Sequence, residues 1–241
     1  AKILPIDSEH SAIWQVLACG RESELKRLII TASGGPFRDL PLEKFGDITV
    51  EQALDHPTWK MGPKITIDSA TLANKGLEVI EAVVLFSVDV EKVTVVIHPL
   101  SIIHSMVEFI DSTVMAQLSR PDMKLPITYA LFWPERVSSD FGKIDLDRLE
   151  DLTFEKPDFD KFRALKLAYQ AAGTGGTAPT IFNAANEIAV NAFLKSTVRF
   201  TEITDIIENV LGKLDIVSQP ALDDILNADR KARKAAEGMV G

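Results

Sequence analysis

From residue 160 onward the chain spells only one kind of element. The segments DKFRALKLAYQAAG (160–173), APTIFNAANEIAVNAFLK (178–195), TEITDIIENVLGKL (201–214) and PALDDILNADRKARKAAEG (220–238) each repeat apolar residues at helical spacing and end on a clear stop. Four amphipathic helices with short joins bury their apolar stripes against one another, so this third of the chain predicts a small helical bundle. AAGTGGTAP (171–179) joins two of these helices. A dinucleotide fingerprint would instead follow a strand, so these glycines form a connector.

The first 133 residues alternate. KILPI (2–6) predicts a short buried strand, DSEH a turn, and Ala12, Ile13, Val16 and Leu17 a helix. LKRLIITAS (25–33) predicts a strand stopped by SGGPFRDLP, whose glycines and prolines mark an irregular loop. Thr49-x-x-Gln52 has the form of a capping box for a helix ending before Pro57. KITID (64–68) predicts a strand, with Asp68 or Ser69 capping the long helix that follows. Gly76 inside that helix weakens it by about 1 kcal/mol relative to Ala, which argues for close backbone approach. VTVVIHP (93–99) has the continuous β-branched pattern of a strand covered on both faces. IIHSMVEFI and TVMAQLS flank a DS turn, as in a hairpin. The expected division is an α/β (α+β) domain with a mixed sheet over 1–133, a polar linker over 134–158, and the bundle over 159–241.

The formal charge of −9 and the pI near 5.0 argue against a general nucleic-acid binder, whose affinity rests on cationic surface. A local site for a small anion needs only one lysine and a few oriented donors. One cysteine, Cys19, excludes an intrachain disulfide and a cysteine-rich zinc site. No run approaches the roughly 18 apolar residues of a membrane span. AKILPIDSEH lacks the organisation of a signal peptide and begins on a core-like run, so the expectation is a piece of a longer protein.

Several polar residues have both a plain and a chemical reading. Asp7 and Glu9 flank Ser8 just after the first apolar run; if 7–9 stay extended, both carboxylates leave the same side of the chain. The plain reading is a helix cap; the chemical one is a hard-cation site that needs a third carboxylate. Glu78 follows Asn74 by four residues and Lys75 by three, so one helix face can carry all three. Lys75–Glu78 could equally be a surface ion pair. Ser33 in TASGGPFR and Ser69 at a helix N-terminus could hold an anion, with Lys75 adding charge. HPTWKMG combines His56 and Trp59 with Pro57, Gly62 and Pro63, suiting either a hinged lid or an ordinary loop. His98 ends a strand and reads as structural; His104 fits either role; His10 can orient a neighbouring carboxylate. No spacing supports a Ser/His/Asp hydrolase triad.

Taken together, LPIDSEH, TASGGPFR, HPTWKMGPKITIDSATLANKGLEVIEA, HPLSIIHSMVEF, RPDMKLPITYA and FNAANEIAV resemble the 1-deoxy-D-xylulose 5-phosphate reductoisomerase family, in order and along essentially the whole chain. The resemblance implies that Asp7, Glu9 and Glu78 hold one divalent cation, Mg²⁺, Mn²⁺ or Co²⁺, which polarises the substrate carbonyl. It implies that Ser33, Ser69, Asn74 and Lys75 hold the substrate phosphate, with Ser8 and Asn74 near the reacting oxygens. His56, Trp59 and Met61 would belong to a closing lid and His104 to the catalytic surroundings. Glu9, Glu78, His56, His104 and Lys75 are the expected catalytic set. Met61, Pro121 and Met123 are expected beside the nicotinamide.

The implied reaction is rearrangement of 1-deoxy-D-xylulose 5-phosphate to a bound aldehyde. Hydride delivery from NADPH then gives 2-C-methyl-D-erythritol 4-phosphate, in non-mevalonate isoprenoid biosynthesis. The implied setting is a homodimer, with no nucleic-acid or membrane partner, in the bacterial cytoplasm or in a plastid-type organelle. The family's N-terminal NADPH-binding domain has no counterpart in this sequence, so the chain by itself is not expected to oxidise NADPH. Two alternatives follow: a metal-dependent sugar-phosphate isomerase or lyase without a nicotinamide step, and a non-catalytic ligand-binding module.

Overall fold

A computed structural model describes residues 2–56, 59–141, 143–149 and 151–240. In chain order the elements are α1 (Ser8–Leu17), β1 (Leu25–Ala32), α2 (Val50–Leu54), α3 (Pro63–Thr71), α4 (Ala73–Leu85), β2 (Val93–Ile97), β3 (Ile103–Phe109), β4 (Val114–Leu118) and α5 (Lys124–Phe132). Four helices follow: α6 (Arg163–Thr174), α7 (Ala178–Leu194), α8 (Phe200–Lys213) and α9 (Leu222–Glu237). The expected mixed sheet and helical C-terminal region are both present. No helix of the described residues is long and apolar enough to cross a membrane.

The chain forms two compact units, each discontinuous in sequence: Ala1–Ser33 with Glu91–Pro157, and Gly34–Val90 with Asp158–Gly241. Contacts therefore do not follow the linear division at 133 and 158. The reason is topological. β2 pairs with β1 in parallel, and such a pair needs a long crossover; the crossover, which carries α2 to α4, packs with the later helices.

In the first unit the sheet runs in the order β2-β1-β3-β4. β1 pairs in parallel with β2 (Ile30 opposite Val95) and antiparallel with β3 (Ile29 opposite Met106); β3 and β4 form the expected hairpin. Leu28, Ile30 and Val107 are fully buried, and α1 lays Ala12, Ile13 and Val16 on the sheet. Trp14 of α1 meets Tyr129 of α5 edge-on at 4.7 Å between ring centroids. β2 is an edge strand and alternates buried Val93, Val95 and Ile97 with half-buried Thr94 and Val96, so one face only is fully covered.

Residues 2–6 form no strand. No strand pairs with them among the described residues, and Ile3 and Ile6 are exposed. Apolar composition alone cannot make a strand without a neighbour to satisfy its backbone. Nor do residues 7–9 stay extended: Asp7 accepts a hydrogen bond from the Ser8 N–H at 2.9 Å and caps α1, which starts at Ser8.

In the second unit the predicted capping box holds. The Thr49 hydroxyl accepts from the Gln52 N–H and the Gln52 side chain from the Thr49 N–H. KITID is helical, not extended. Pro63 occupies the first position of α3, where its fixed φ favours helix and its missing N–H is not needed. Thr66 and Thr71 turn their hydroxyls back onto the carbonyls of Gly62 and Ile67, which accommodates β-branched residues in a helix. α3 ends at Leu72, which takes a left-handed conformation (φ 57°) and also precedes α4. Burial of the Leu72 side chain offsets a conformation costing about 1–2 kcal/mol. Asp68 and Ser69 therefore lie inside α3 and cap nothing.

α4 packs on α6 through Gly76. A β-carbon there would come within 2.5 Å of the Ala168 β-carbon, so the expected close approach exists. α7 carries fully buried Ile181, Phe182 and Val190 between its neighbours α8 and α9. An aromatic cluster of Phe37, Phe45, Phe162, Phe193 and Phe200 joins the 34–48 segment to α6, α7 and α8.

Candidate functional site

Each unit carries its own share of the singled-out residues. In the first, Asp7, Ser8, Glu9 and His10 open α1. The Ser8 hydroxyl donates to Glu9 Oε2, and His10 Nδ1 lies 3.5 Å from Asp7 Oδ2. His10 is buried while the Asp7 side chain is 45% exposed, so an imidazole held in the interior braces a carboxylate open to solvent. Asp7 is thus a helix cap whose carboxylate also faces solvent.

Ser33 follows β1 and is half-buried. His104 is buried on β3, next to a backbone tied to β1 by the Thr31 hydroxyl, which donates to the carbonyls of Ile103 and His104 at 2.6 and 2.8 Å. Pro121 and Met123 are half-buried just before α5. His98 is structural, as expected: fully buried, with Nδ1 2.9 Å from the Thr153 carbonyl oxygen and its ring stacked on Phe154.

In the second unit, α4 brings Asn74, Lys75 and Glu78 together. Asn74 Nδ2 donates to Glu78 Oε1 and Lys75 Nζ to Glu78 Oε2, both at 2.6 Å. The Lys75 and Glu78 side chains are only 6% and 3% exposed, which rules out a surface ion pair. Two charges taken out of water are costly, and an isolated ammonium at this depth would be untenable. Glu78 thereby places a carboxylate, an acceptor-only group when ionised, in the interior beside an ammonium and an amide.

Ser69 does not stand at a helix N-terminus. It lies in the last turns of α3, where carbonyls rather than N–H groups project. The anion-favouring end nearby is that of α4, whose first turn carries Asn74 and Lys75. Ser69 reaches outward instead, its hydroxyl 3.0 Å from His56 Nε2. The Trp59 N–H donates to His56 Nδ1 at 2.9 Å, so in the neutral ring the proton sits on Nε2 and is donated to Ser69. Burial pushes the His56 imidazole below its ordinary range, favouring that neutral form. Trp59 and Met61 are half-buried; Pro57 and Thr58 of the same segment lie outside the described residues.

Sequence reasoning missed one group. Asp68 is 1% exposed and keeps both oxygens bonded, Oδ2 2.6 Å from Lys64 Nζ and Oδ1 accepting from Asn186 Nδ2 at 2.8 Å. Burial pushes its carboxyl up, against the opposing pull of Lys64 and Asn186. Read as a cap in an extended segment, Asp68 had no inward face; only the helical phase of α3 turns it toward α7.

Comparison with known proteins gives a consistent result. A family model described as the DXP reductoisomerase C-terminal domain matches residues 118–235. A second, described as the 1-deoxy-D-xylulose 5-phosphate reductoisomerase C-terminal domain, matches residues 3–86. The 1-deoxy-D-xylulose 5-phosphate reductoisomerase of Pelotomaculum thermopropionicum is 55% identical over 234 residues, covering 97% of this chain and 60% of the relative. That of Chlorobium limicola is 54% identical over 240 residues, covering 100% and 63%. Among solved structures, DOX-P reductoisomerase in complex with NADPH, fosmidomycin and magnesium aligns with a TM-score of 0.92 at 44% identity, over 100% of this chain and 64% of that one. The Zymomonas mobilis enzyme in complex with NADPH aligns at 0.91 and 43%, over 98% and 61%. The chain thus spans 60–63% of the length of these two curated relatives.

Proposed function

This chain belongs to the 1-deoxy-D-xylulose 5-phosphate reductoisomerase family through its two C-terminal domain matches, and from that premise we propose that it supplies the metal- and sugar-phosphate-binding part of such an enzyme. The proposed reaction is rearrangement of 1-deoxy-D-xylulose 5-phosphate and its reduction by NADPH to 2-C-methyl-D-erythritol 4-phosphate. The observation that carries the proposal is the buried Lys75–Glu78 pair, joined by half-buried Asn74, on the first turns of α4. It couples an anion-favouring helix end to a desolvated carboxylate within two turns.

Asp7, Glu9 and Glu78 form the proposed metal set. All three offer carboxylate oxygen, the donor type that Mg²⁺ and Mn²⁺ prefer, and Glu78 is buried with its charge balanced by Lys75. The cation would supply Lewis acidity at the substrate carbonyl. The proposal requires the three carboxylates to converge on one cation.

Ser33, Ser69, Asn74 and Lys75 are the proposed phosphate set. Lys75 supplies a cationic ammonium near the start of α4, and Ser69, accepting from His56, keeps its own proton to donate. Phosphate at one end of α4 and the carbonyl near Glu78 would then be held at fixed separation, which confers the orientation that rearrangement needs. His56, Trp59 and Met61 form the proposed lid that keeps water away, His104 and Ser8 lie in the proposed catalytic surroundings, and Pro121 and Met123 beside the nicotinamide. The proposed assembly is a homodimer, in the cytoplasm of a bacterium.

Calorimetric titration of the chain with 1-deoxy-D-xylulose 5-phosphate tests this reading. Binding should require Mg²⁺ or Mn²⁺ and should be lost in Lys75→Met. Metal-independent binding, or none with metal present, would contradict it.

A further inference from the structure

α3 rests on α7, and a buried polar pair bridges the two helices: Asp68, which also meets Lys64, and Asn186, 1% and 0% exposed. The amide orientation is dictated by the carboxylate, since Nδ2 must face Asp68 Oδ1. That leaves Asn186 Oδ1 buried without a hydrogen-bond partner among the described residues. Two apolar side chains of the same volume would fill the space without desolvating a charge or stranding an acceptor. A buried polar pair of this kind contributes little to stability and is best understood as fixing register, because a hydrogen bond demands one alignment where apolar packing tolerates sliding.

What the register fixes is the next residue. Ser69 follows Asp68 directly, and its backbone is also pressed from the 34–35 loop. Gly35 (φ 67°) lies so close that a β-carbon there would come to 2.7 Å of the Ser69 carbonyl oxygen. Three residues later Leu72 turns the chain into α4. α7 meets α3 through Asn186, which bonds Asp68, the residue immediately before Ser69 in α3.

We infer that Asp68 and Asn186 are positioning residues for Ser69: their buried hydrogen bond locks α3 on α7 and so sets where the Ser69 hydroxyl meets a phosphate. The inference rests on the reading of Ser69 as a phosphate ligand. It makes the C-terminal bundle part of the phosphate site's support, and assigns Lys64, the solvent-side partner of Asp68, a lesser role.

The test is calorimetric affinity of the 241-residue chain for 1-deoxy-D-xylulose 5-phosphate at saturating Mg²⁺, with thermal unfolding as a folding control. Asn186→Leu keeps the volume and removes the amide; it should bind about tenfold more weakly, and Asn186→Ala, a second variant should the first not fold, should do the same. Asp68→Asn keeps an oxygen for Asn186 and should stay within about twofold of the parent. The decisive readout is coupling: Ser69→Ala should lose much less affinity in the Asn186→Leu background than in the parent, because both changes disable the same contact. Parent-like affinity in the Asn186 variants, full additivity with Ser69→Ala, or an Asp68→Asn loss as large as that of Asn186→Leu would each overturn the inference while leaving the phosphate site standing. A parent chain that does not bind the sugar phosphate would instead overturn the phosphate reading, and the inference with it.

Discussion

Gly76→Ala sets two known effects against each other on α4. Alanine in a helix interior is favoured over glycine by about 1 kcal/mol, so on propensity alone the variant gains stability. The new methyl, however, would lie 2.5 Å from the Ala168 β-carbon of α6, against an ordinary carbon–carbon contact of about 3.5–4.0 Å. Helix axes must separate by roughly 1 Å to relieve that, and overpacking of this kind costs about 1–3 kcal/mol. The balance is a loss of up to about 2 kcal/mol. At about 2–4 °C per kcal/mol for a chain of this size, the thermal midpoint should fall by up to roughly 8 °C. Gly76→Ala/Ala168→Gly should recover most of the loss, since the contact is relieved and the propensity change cancels between the two helices. Thermal and urea unfolding of the parent, both single variants and the double variant measure this directly. A single variant stabilised by the full propensity gain, or a double variant no better than Gly76→Ala, would refute the close approach. The position bears on the proposed function because Gly76 sits between Lys75 and Glu78, so any displacement of α4 moves both.

Two further outcomes follow from the buried charges. Lys75→Met removes the ammonium paired with the buried Glu78 carboxylate, and urea unfolding without added metal should show a loss of about 3–5 kcal/mol. Adding Glu78→Gln to that variant should recover part of it, because the stranded charge is gone. Asp68, whose carboxyl is raised by burial, gives a pH dependence with a definite sign. From about pH 4 up to its raised value the folded chain holds a proton that the unfolded chain has released, so its contribution to stability is greatest below that window and declines as pH rises through it. Asp68→Asn should therefore gain stability relative to the parent on going from pH 4 to 7, as measured by urea midpoints. A difference constant with pH would contradict the assignment.

Much of the architecture could be read from spacing. β1, the β3–β4 hairpin, the Thr49–Gln52 capping box and the four C-terminal helices follow from local pattern and turn chemistry, and the close approach at Gly76 from one misplaced glycine. The i, i+3 and i, i+4 spacing likewise put Asn74, Lys75 and Glu78 on one face. KITID could not be read that way, because its β-branched residues carry strand propensity. Its helix depends on Pro63 at the first position and on threonine hydroxyls folding back, both of which resemble loop signals in a string of letters. KILPI failed for the opposite reason: apolar residues predict burial, but a strand needs a partner that only tertiary structure supplies. The Asp68–Asn186 bond joins residues 118 positions apart and left no local trace.

Asp7, Glu9 and Glu78 are the proposed ligands of one divalent cation. Mn²⁺ titration of the chain followed by electron paramagnetic resonance measures that binding most directly, free Mn²⁺ being distinguished from bound. One Mn²⁺ should bind per chain, displaced by Mg²⁺, with affinity weakened by more than about tenfold, or 1.4 kcal/mol, in each of Asp7→Asn, Glu9→Gln and Glu78→Gln. Mn²⁺ binding of unchanged affinity in all three variants, or no stoichiometric binding by the parent chain, would contradict the proposal.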